Sequence, residues 1–233
     1  MEQPSTPRQQ RAVRTRCLII EAAARQFAEH GFDGVSLNDL VLASDVSKGA
    51  FYFHFASKQE VALAAFRAKQ EELIARLLAG SSPGGSVMDQ VVSLMVRRAQ
   101  LVRDDPSLRC VIRLGSELNV RSGSGSQYAS FHDLAVDLIA DLVAQGQRAG
   151  EFRRELDPGA TARAIFAWIV GVDTLSLLAS HGQDLEDRTA AVLDLLVPAL
   201  RAPAGGGAGP GPRRRPQSAP AGPKRDPELG EER

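Results

Sequence analysis

The residues best equipped for chemistry are gathered in one short stretch, Ser36 to Phe55, SLNDLVLASDVSKGAFYFHF. Lys48 can reach a guanine edge or a phosphate. Tyr52 and His54 can donate to phosphate oxygens. Gly49 and Ala50 lie between them and are small, so the backbone can come close to another molecule. Ser36 and Ser47 place a hydroxyl ahead of each of two short apolar runs. Such a set grips a polyanion. It holds no pairing of nucleophile and base, and none occurs elsewhere in the chain: there is no Gly-rich phosphate cradle, nucleophile elbow or cysteine–histidine pair. His30, His54, His132 and His181 lack H-x-x-x-H or E-x-x-H spacing, so neither a metal nor an enzyme is expected, and no cofactor. Asp133, Asp137 and Asp141 repeat every four residues on the polar side of an amphipathic segment and read as solvated surface.

Two short helices and a tight corner must position that set. The first begins at Leu37, capped by Ser36 with Asp39 completing a capping box. The corner is Ala43-Ser44-Asp45-Val46. The second begins at Ser47, whose side-chain oxygen can accept from the next turn's free amides. This is the layout of a helix-turn-helix, in which the first helix crosses the phosphate backbone and the second lies in the major groove. Within the aromatic cluster, Phe51 and Phe55 are expected in the core, and Tyr52 and His54 are expected to face out.

Composition sets the bounds. The 233 residues are 43% hydrophobic with zero formal net charge, enough for a sizeable core and without a whole-protein positive field. Local charge differs: residues 1–16 carry Arg8, Arg11, Arg14 and Arg16 against Glu2 alone. Arg11, Arg14 and Arg16 read as a solvated helix face or, beside the reading unit, as phosphate contacts, and Arg14 is placed in the expected DNA surface. Cys17 and Cys110 are distant in sequence and read as two packed thiols of a reducing cytosol. The N-terminus has no apolar signal core and no segment approaches a membrane span, so a cytoplasmic protein is expected.

The pattern along the chain is helical throughout, with no strand and no internal repeat. Residues 1–8 read as a mobile arm. A helix from Gln9 to His30 buries Val13, Cys17, Ile20, Ala24 and Phe27, and Gly31 then serves as its C-cap with Phe32 packing across. Ser57-Lys-Gln-Glu60 is a second capping box, opening a helix to about Leu78. Ser86 with Asp89 caps the next, to about Arg103. Asp105-Pro106 and Asp157-Pro158 each start a helix with proline at its first position. Arg121 to Ser126 reads as a loop. Ala162–Ala179 is apolar almost all round, which marks burial on more than one side. The last helix runs from Asp184 to about Leu200. Residues 202–233 turn to Pro, Gly, Ala and Arg and read as disordered.

The ordered set Phe27-Ala28-Glu29-His30-Gly31-Phe32, Val35-Ser36-Leu37 and Ser47 to Phe55, followed by Ser57-Lys58, resembles the TetR family of one-component bacterial repressors. The form KGAFYFHF is most similar to the γ-butyrolactone-receptor branch, which regulates antibiotic production in streptomycetes. The resemblance implies an all-α fold: an N-terminal three-helix helix-turn-helix domain over 9–60 and a C-terminal ligand-binding and dimerisation bundle over 61–201. It implies that Lys48, Gly49 and Tyr52 face DNA in the groove, and that Ser47, His54 and Lys58 contact phosphates. Ser36 and Ala50 complete the expected DNA surface.

A homodimer reading an inverted-repeat operator and released by a small apolar signal is the function so implied. Pockets between bundle helices are apolar with a few polar groups, which singles out Gln127, Tyr128, Phe131, Trp168, Asp173 and Thr174. Lactone-sensing members place a tryptophan over the ligand where this chain has Phe131, so stacking would survive and the indole donor would be lost. That leaves a lactone, a related signal, an antibiotic, or a pseudo-receptor without a ligand open. A helical small-molecule-binding protein that reads no DNA is the alternative class.

Overall fold

The structure, a computed structural model, describes residues 6–80, 84–122 and 127–203, and only the backbone for 118–131. The described residues form nine α-helices: α1 (Pro7–His30), α2 (Leu37–Ala43), α3 (Lys48–His54), α4 (Lys58–Ala79), α5 (Val87–Asp104), α6 (Arg109–Ser122), α7 (Gln127–Arg148), α8 (Pro158–Ser180) and α9 (Leu185–Leu200). A 3-10 turn, Pro106–Leu108, leads into α6. The only extended pairing among them is a single bridge between Phe152 and Arg201.

Capping chemistry sets most of the helix starts. Thr6 and Gln9 form a reciprocal box ahead of Pro7, so α1 begins within what reads as an arm in the sequence, two residues before Gln9. Its buried face starts at Ile19, and Val13 and Cys17 are exposed, contrary to the expected stripe and to two packed thiols. Cys110 is buried, and burial pushes its thiol up to about 12. Ser36 with Asp39 and Ser86 with Asp89 form boxes as expected. At α4 the device differs: Ser57 accepts from Glu60 N, but the Glu60 carboxylate reaches back to Ala56 N at 2.9 Å. Arg121 and Ser122 extend α6; the rest of the expected loop, 123–126, and the 202–233 tail beyond residue 203 lie outside the described residues.

Three apolar clusters hold the helices. The first joins α1, α2, α3 and the start of α4, and takes in Cys110, Val111 and Leu114 from α6. Phe27 and Phe51 are fully buried at its centre, where truncation to alanine costs about 3–5 kcal/mol. A second gathers Met88, Val143, Phe152, Ile165 and Leu196, and a third joins Leu73, Val102, Leu108 and Leu185. Lys69, 3% exposed, stands between α1 and α4 with Glu21 at 2.7 Å and Glu72 at 2.8 Å. Burial alone would lower its pKa; the bonds to the two carboxylates outweigh that and raise it.

Two expectations about α8 change. It is long and apolar enough to cross a membrane, with a mean hydropathy of 1.6, although the sequence was read as having no such segment. Nor is it enclosed within one chain: Ala162, Ile165, Asp173, Ser176 and Leu177 are buried, while Trp168, Val170, Leu175 and Leu178 lie open. The inward side also carries charge, since Asp173 pairs with Arg98 of α5. On α7, Leu134 and Leu138 are likewise exposed.

The joint between α8 and α9 is electrostatic. His181 adopts a left-handed conformation, and the Asp184 carboxylate accepts from Ser176 Oγ and Ser180 Oγ, each at 2.6 Å, and from Arg188 Nε at 2.7 Å. The serine hydrogen bonds are the main cause that lowers its pKa from 3.8 to about 2. A carboxylate with a depressed folded pKa stabilises above its unfolded pKa, and that contribution is lost as pH falls through the folded one. Asp184→Asn is therefore expected to lower the melting temperature at pH 7 and to flatten its fall between about pH 4 and pH 2, as a calorimetric pH series would record.

Candidate nucleic-acid interface and interior cavity

The corner between α2 and α3 is made by Asp45, one of two non-glycine residues with positive φ among those described. Its short polar side chain tolerates that region. Ser47 then caps α3, accepting from Ala50 N at 3.2 Å. Phe51 points inward and packs near Phe55, with ring centres 6.3 Å apart. The opposite side presents Lys48, Gly49, Tyr52 and Phe53 to solvent. Phe53 is 79% exposed, the most open large apolar side chain described, and sequence reasoning did not single it out. Its signal was present: five aromatic or imidazole rings in a row cannot all face one core.

Gly49 is the informative position. Its φ is ordinary, and a Cβ placed on it would meet nothing within 4 Å. Inside a helix glycine costs roughly 0.5–1 kcal/mol relative to alanine, yet nothing among the described residues requires it.

The other expected contacts divide. Ser36 is exposed, but its hydroxyl donates to Asp39 Oδ2 at 2.6 Å while accepting from Asp39 N; that bond is the main reason the Asp39 carboxyl lies below its usual value. Ala50 is half-buried. Arg14 is exposed on α1, two residues from Arg16, whose guanidinium lies over the Phe55 ring at 5.2 Å. His54 is half-buried and lines a cleft of about 400 Å³ with Arg16, Glu60, Arg67 and Glu71, so it looks toward α1 and α4.

Lys58 is engaged within the chain. Its ammonium donates to Phe32 O at 2.9 Å and Val35 O at 3.0 Å and sits 4.1 Å from the centre of the Phe32 ring. Two of its three donors are spent on carbonyls of the turn between α1 and α2. From the other side, Glu117 of α6 accepts from Phe32 N at 2.5 Å. Gly31 has φ +72° and lies so close that a Cβ there would come within 2.6 Å of Glu117 Oε1. The turn is thus clamped between α4 and α6.

Behind this clamp lies a cavity of about 600 Å³ walled by α4, α5, α6, α7 and α8. Phe66, Ile112 and Phe166 supply apolar wall; Ser116, His132 and Arg163 add polar groups. Asp173 and Thr174 also line it, and Asp173 is fixed by a two-pronged ion pair with Arg98, one arm of 2.9 Å. Burial pushes the Asp173 carboxyl up from its usual value, and the Arg98 charge opposes this. Trp168 does not line the cavity; it borders a separate narrow slot with Met95 and Val192, because it projects from the outward side of α8. The side chains of Gln127, Tyr128 and Phe131 lie outside the described residues. Arg98 and His132 were missed, although Arg98 interrupts the apolar run of α5, a visible signal.

Residues 19–65, from mid-α1 into α4, match the family of bacterial regulatory proteins described as the tetR family. A solved structure presented as the molecular basis for control of antibiotic production by bacterial hormones is 30% identical, with a TM-score of 0.70 over 82% of this chain and 99% of that one. The chain belongs to the TetR family. It is also 28% identical over 196 residues to the A-factor receptor protein of Streptomyces griseus, covering 84% of this chain and 67% of that protein. Full-length TylP, a TetR regulator from Streptomyces fradiae, superposes with a TM-score of 0.64 at 29% identity, over 83% of this chain and 89% of its own. These relatives are regulators, and the all-α helix-turn-helix architecture is the family's.

Gly49 supplies a test with opposite signs. Gly49→Ala is expected to stabilise the fold by roughly 0.5–1 kcal/mol in chemical denaturation while weakening DNA binding in a gel shift. A variant that gains stability and binds DNA as before would show the glycine to be incidental.

Proposed function

We propose that the protein is a ligand-responsive transcriptional repressor that binds an inverted-repeat operator as a homodimer and releases it when a small signalling molecule binds. The observation that carries this reading is the position of the cavity: Phe66 of α4 and Ile112, Gly115 and Ser116 of α6 wall it, and the same two helices hold the Gly31–Val35 turn through Lys58 and Glu117. A ligand that favours a different spacing of α4 and α6 shifts the reading helices. One that binds both states equally does nothing. Coupling of about 1–3 kcal/mol changes operator affinity by about 5–150-fold.

In this reading residues 9–60 form the DNA-binding domain and 61–201 the ligand and dimerisation domain, working in the cytoplasm. Ser47, Lys48, Gly49, Tyr52 and Phe53 meet DNA, with Arg14 on the flanking phosphates, and Lys58 acts by holding the turn. The signal is γ-butyrolactone-like or a related molecule, and the target is antibiotic or secondary-metabolite production, a reading supported by the similarity to the A-factor receptor protein and to the hormone-controlled regulator of antibiotic production. Phe131, where lactone sensors carry tryptophan, favours a related signal or an antibiotic as the second reading. The open apolar sides of α8 and α9, with Leu175, Leu178 and Leu195 exposed, support a dimer formed there. Half-sites then lie about 34–36 Å apart, or a multiple of that.

Footprinting on the protein's own upstream region tests the reading, with a discrete, salt-sensitive protection of an inverted repeat expected. Tyr52→Ala is expected to abolish that footprint with dimerisation and helicity intact, since Tyr52 is exposed and meets the Phe51 ring edge-on. Leu178→Glu places a charge on the open side of α8 and is expected to shift the protein to monomer in ultracentrifugation; a stable dimer would move the interface elsewhere. Glu117→Gln is expected to keep the fold and alter operator affinity in the absence of any ligand.

A further inference from the structure

A second cleft of about 600 Å³ opens between the C-terminal end of α1, the start of α6 and the end of α8. It shares no lining residue with the first cavity and has a different character. Arg25, Arg109 and Arg113 border it, with Glu29 as the one carboxylate among its lining residues. Glu29 is 3.8 Å from His30, which borders the cleft as well. None of the three arginines has a carboxylate partner among the described residues.

Arg109 is the least satisfied of them. Its Nη2 donates to Arg103 O at 3.2 Å, while its Nε is buried and has no acceptor among the described residues. Burial accordingly lowers its pKa, with no counter-charge to offset it. The ends of α1 and α8 each bring a partial negative charge of about half an electron. Those two ends and Glu29 together cancel about two of three guanidinium charges, leaving the cleft positive. Ala28, Pro106 and Leu177 give it an apolar side.

We propose that this cleft binds a small organic anion, a carboxylate or phosphate monoester with a short apolar body, as a site separate from the apolar cavity. The charged head meets Arg109 and Arg113, whose planar forks suit two-oxygen acceptors, and the body lies against Leu177 and Pro106. An occupant bridges α1, which belongs to the DNA-reading unit, to α6 and α8.

Calorimetric titration of the full-length protein with benzoate, phenyl phosphate, inorganic phosphate and benzyl alcohol tests this without any DNA, so its outcome is independent of the repressor reading. Benzoate or phenyl phosphate is expected to bind one per chain, and inorganic phosphate and benzyl alcohol at least tenfold more weakly, by an order-of-magnitude loss of either head or body. Arg25→Gln/Arg113→Gln, at positions that are not buried, should weaken binding by about tenfold or more, since it removes one guanidinium that meets the head and one that adds to the cleft's positive charge; Thr174→Val in the first cavity should change nothing. Equal binding of benzyl alcohol or of inorganic phosphate, an unchanged double variant, sensitivity to Thr174→Val, or no binding heat with any anion would each overturn the proposal. Melting curves of the double variant confirm that lost binding is not lost folding.

Discussion

The structure turns on five residues, Gly31 to Val35, that connect α1 to α2. A turn between helices leaves backbone amides and carbonyls without intrahelical partners, and these must be satisfied from elsewhere. Here the partners are charged side chains from distant parts of the chain: Glu117 takes the Phe32 amide, and Lys58 donates to the Phe32 and Val35 carbonyls. Hydrogen bonds with one ionised partner are roughly twice as strong as neutral ones. The recognition helix is therefore carried on a turn whose geometry is set by α4 and α6. Any displacement of those helices strains a charged hydrogen bond, whereas a purely apolar contact would slide.

A similar logic recurs deeper in the molecule. Lys69 with Glu21 and Glu72 ties α1 to α4, and Arg98 with Asp173 ties α5 to α8. Buried pairs of this kind add little net stability, because desolvation offsets most of the attraction. They do penalise wrong registers, since a slip of one turn would leave a charge alone in the interior. In a protein made of helices with interchangeable Leu, Val and Ala faces, that penalty distinguishes one packing from many. Arg98 and Asp173 also give an otherwise apolar cavity a polar wall, while Lys69 lies beyond it and only holds the frame.

Much of this was legible beforehand because its causes are local. Ser36, Ser47, Ser57 and Ser86 announce helix starts through hydrogen bonds that span three residues. The burial of Phe51 beside the exposure of Tyr52 follows from a 100° step around one helix. The intrachain surroundings of Lys58 and Trp168 were not legible, for the opposite reason. A lysine at a helix start looks the same whether it meets a phosphate or a carbonyl twenty-six residues away. A tryptophan on an all-apolar helix gives no hint of which side faces the cavity. Phe53 was passed over because its neighbours already accounted for the motif.

Local sequence was enough for most of the helices and their serine caps, the corner around Asp45 and the family resemblance, since these depend on residues within one or two turns of each other. Tertiary structure decided which helices enclose the cavity, that Glu117 and Lys58 close on one turn, that α8 keeps an open apolar side, and that three arginines border a single cleft. Those are encounters between residues twenty to more than a hundred and fifty positions apart, and only the packing of the whole chain brings them within reach.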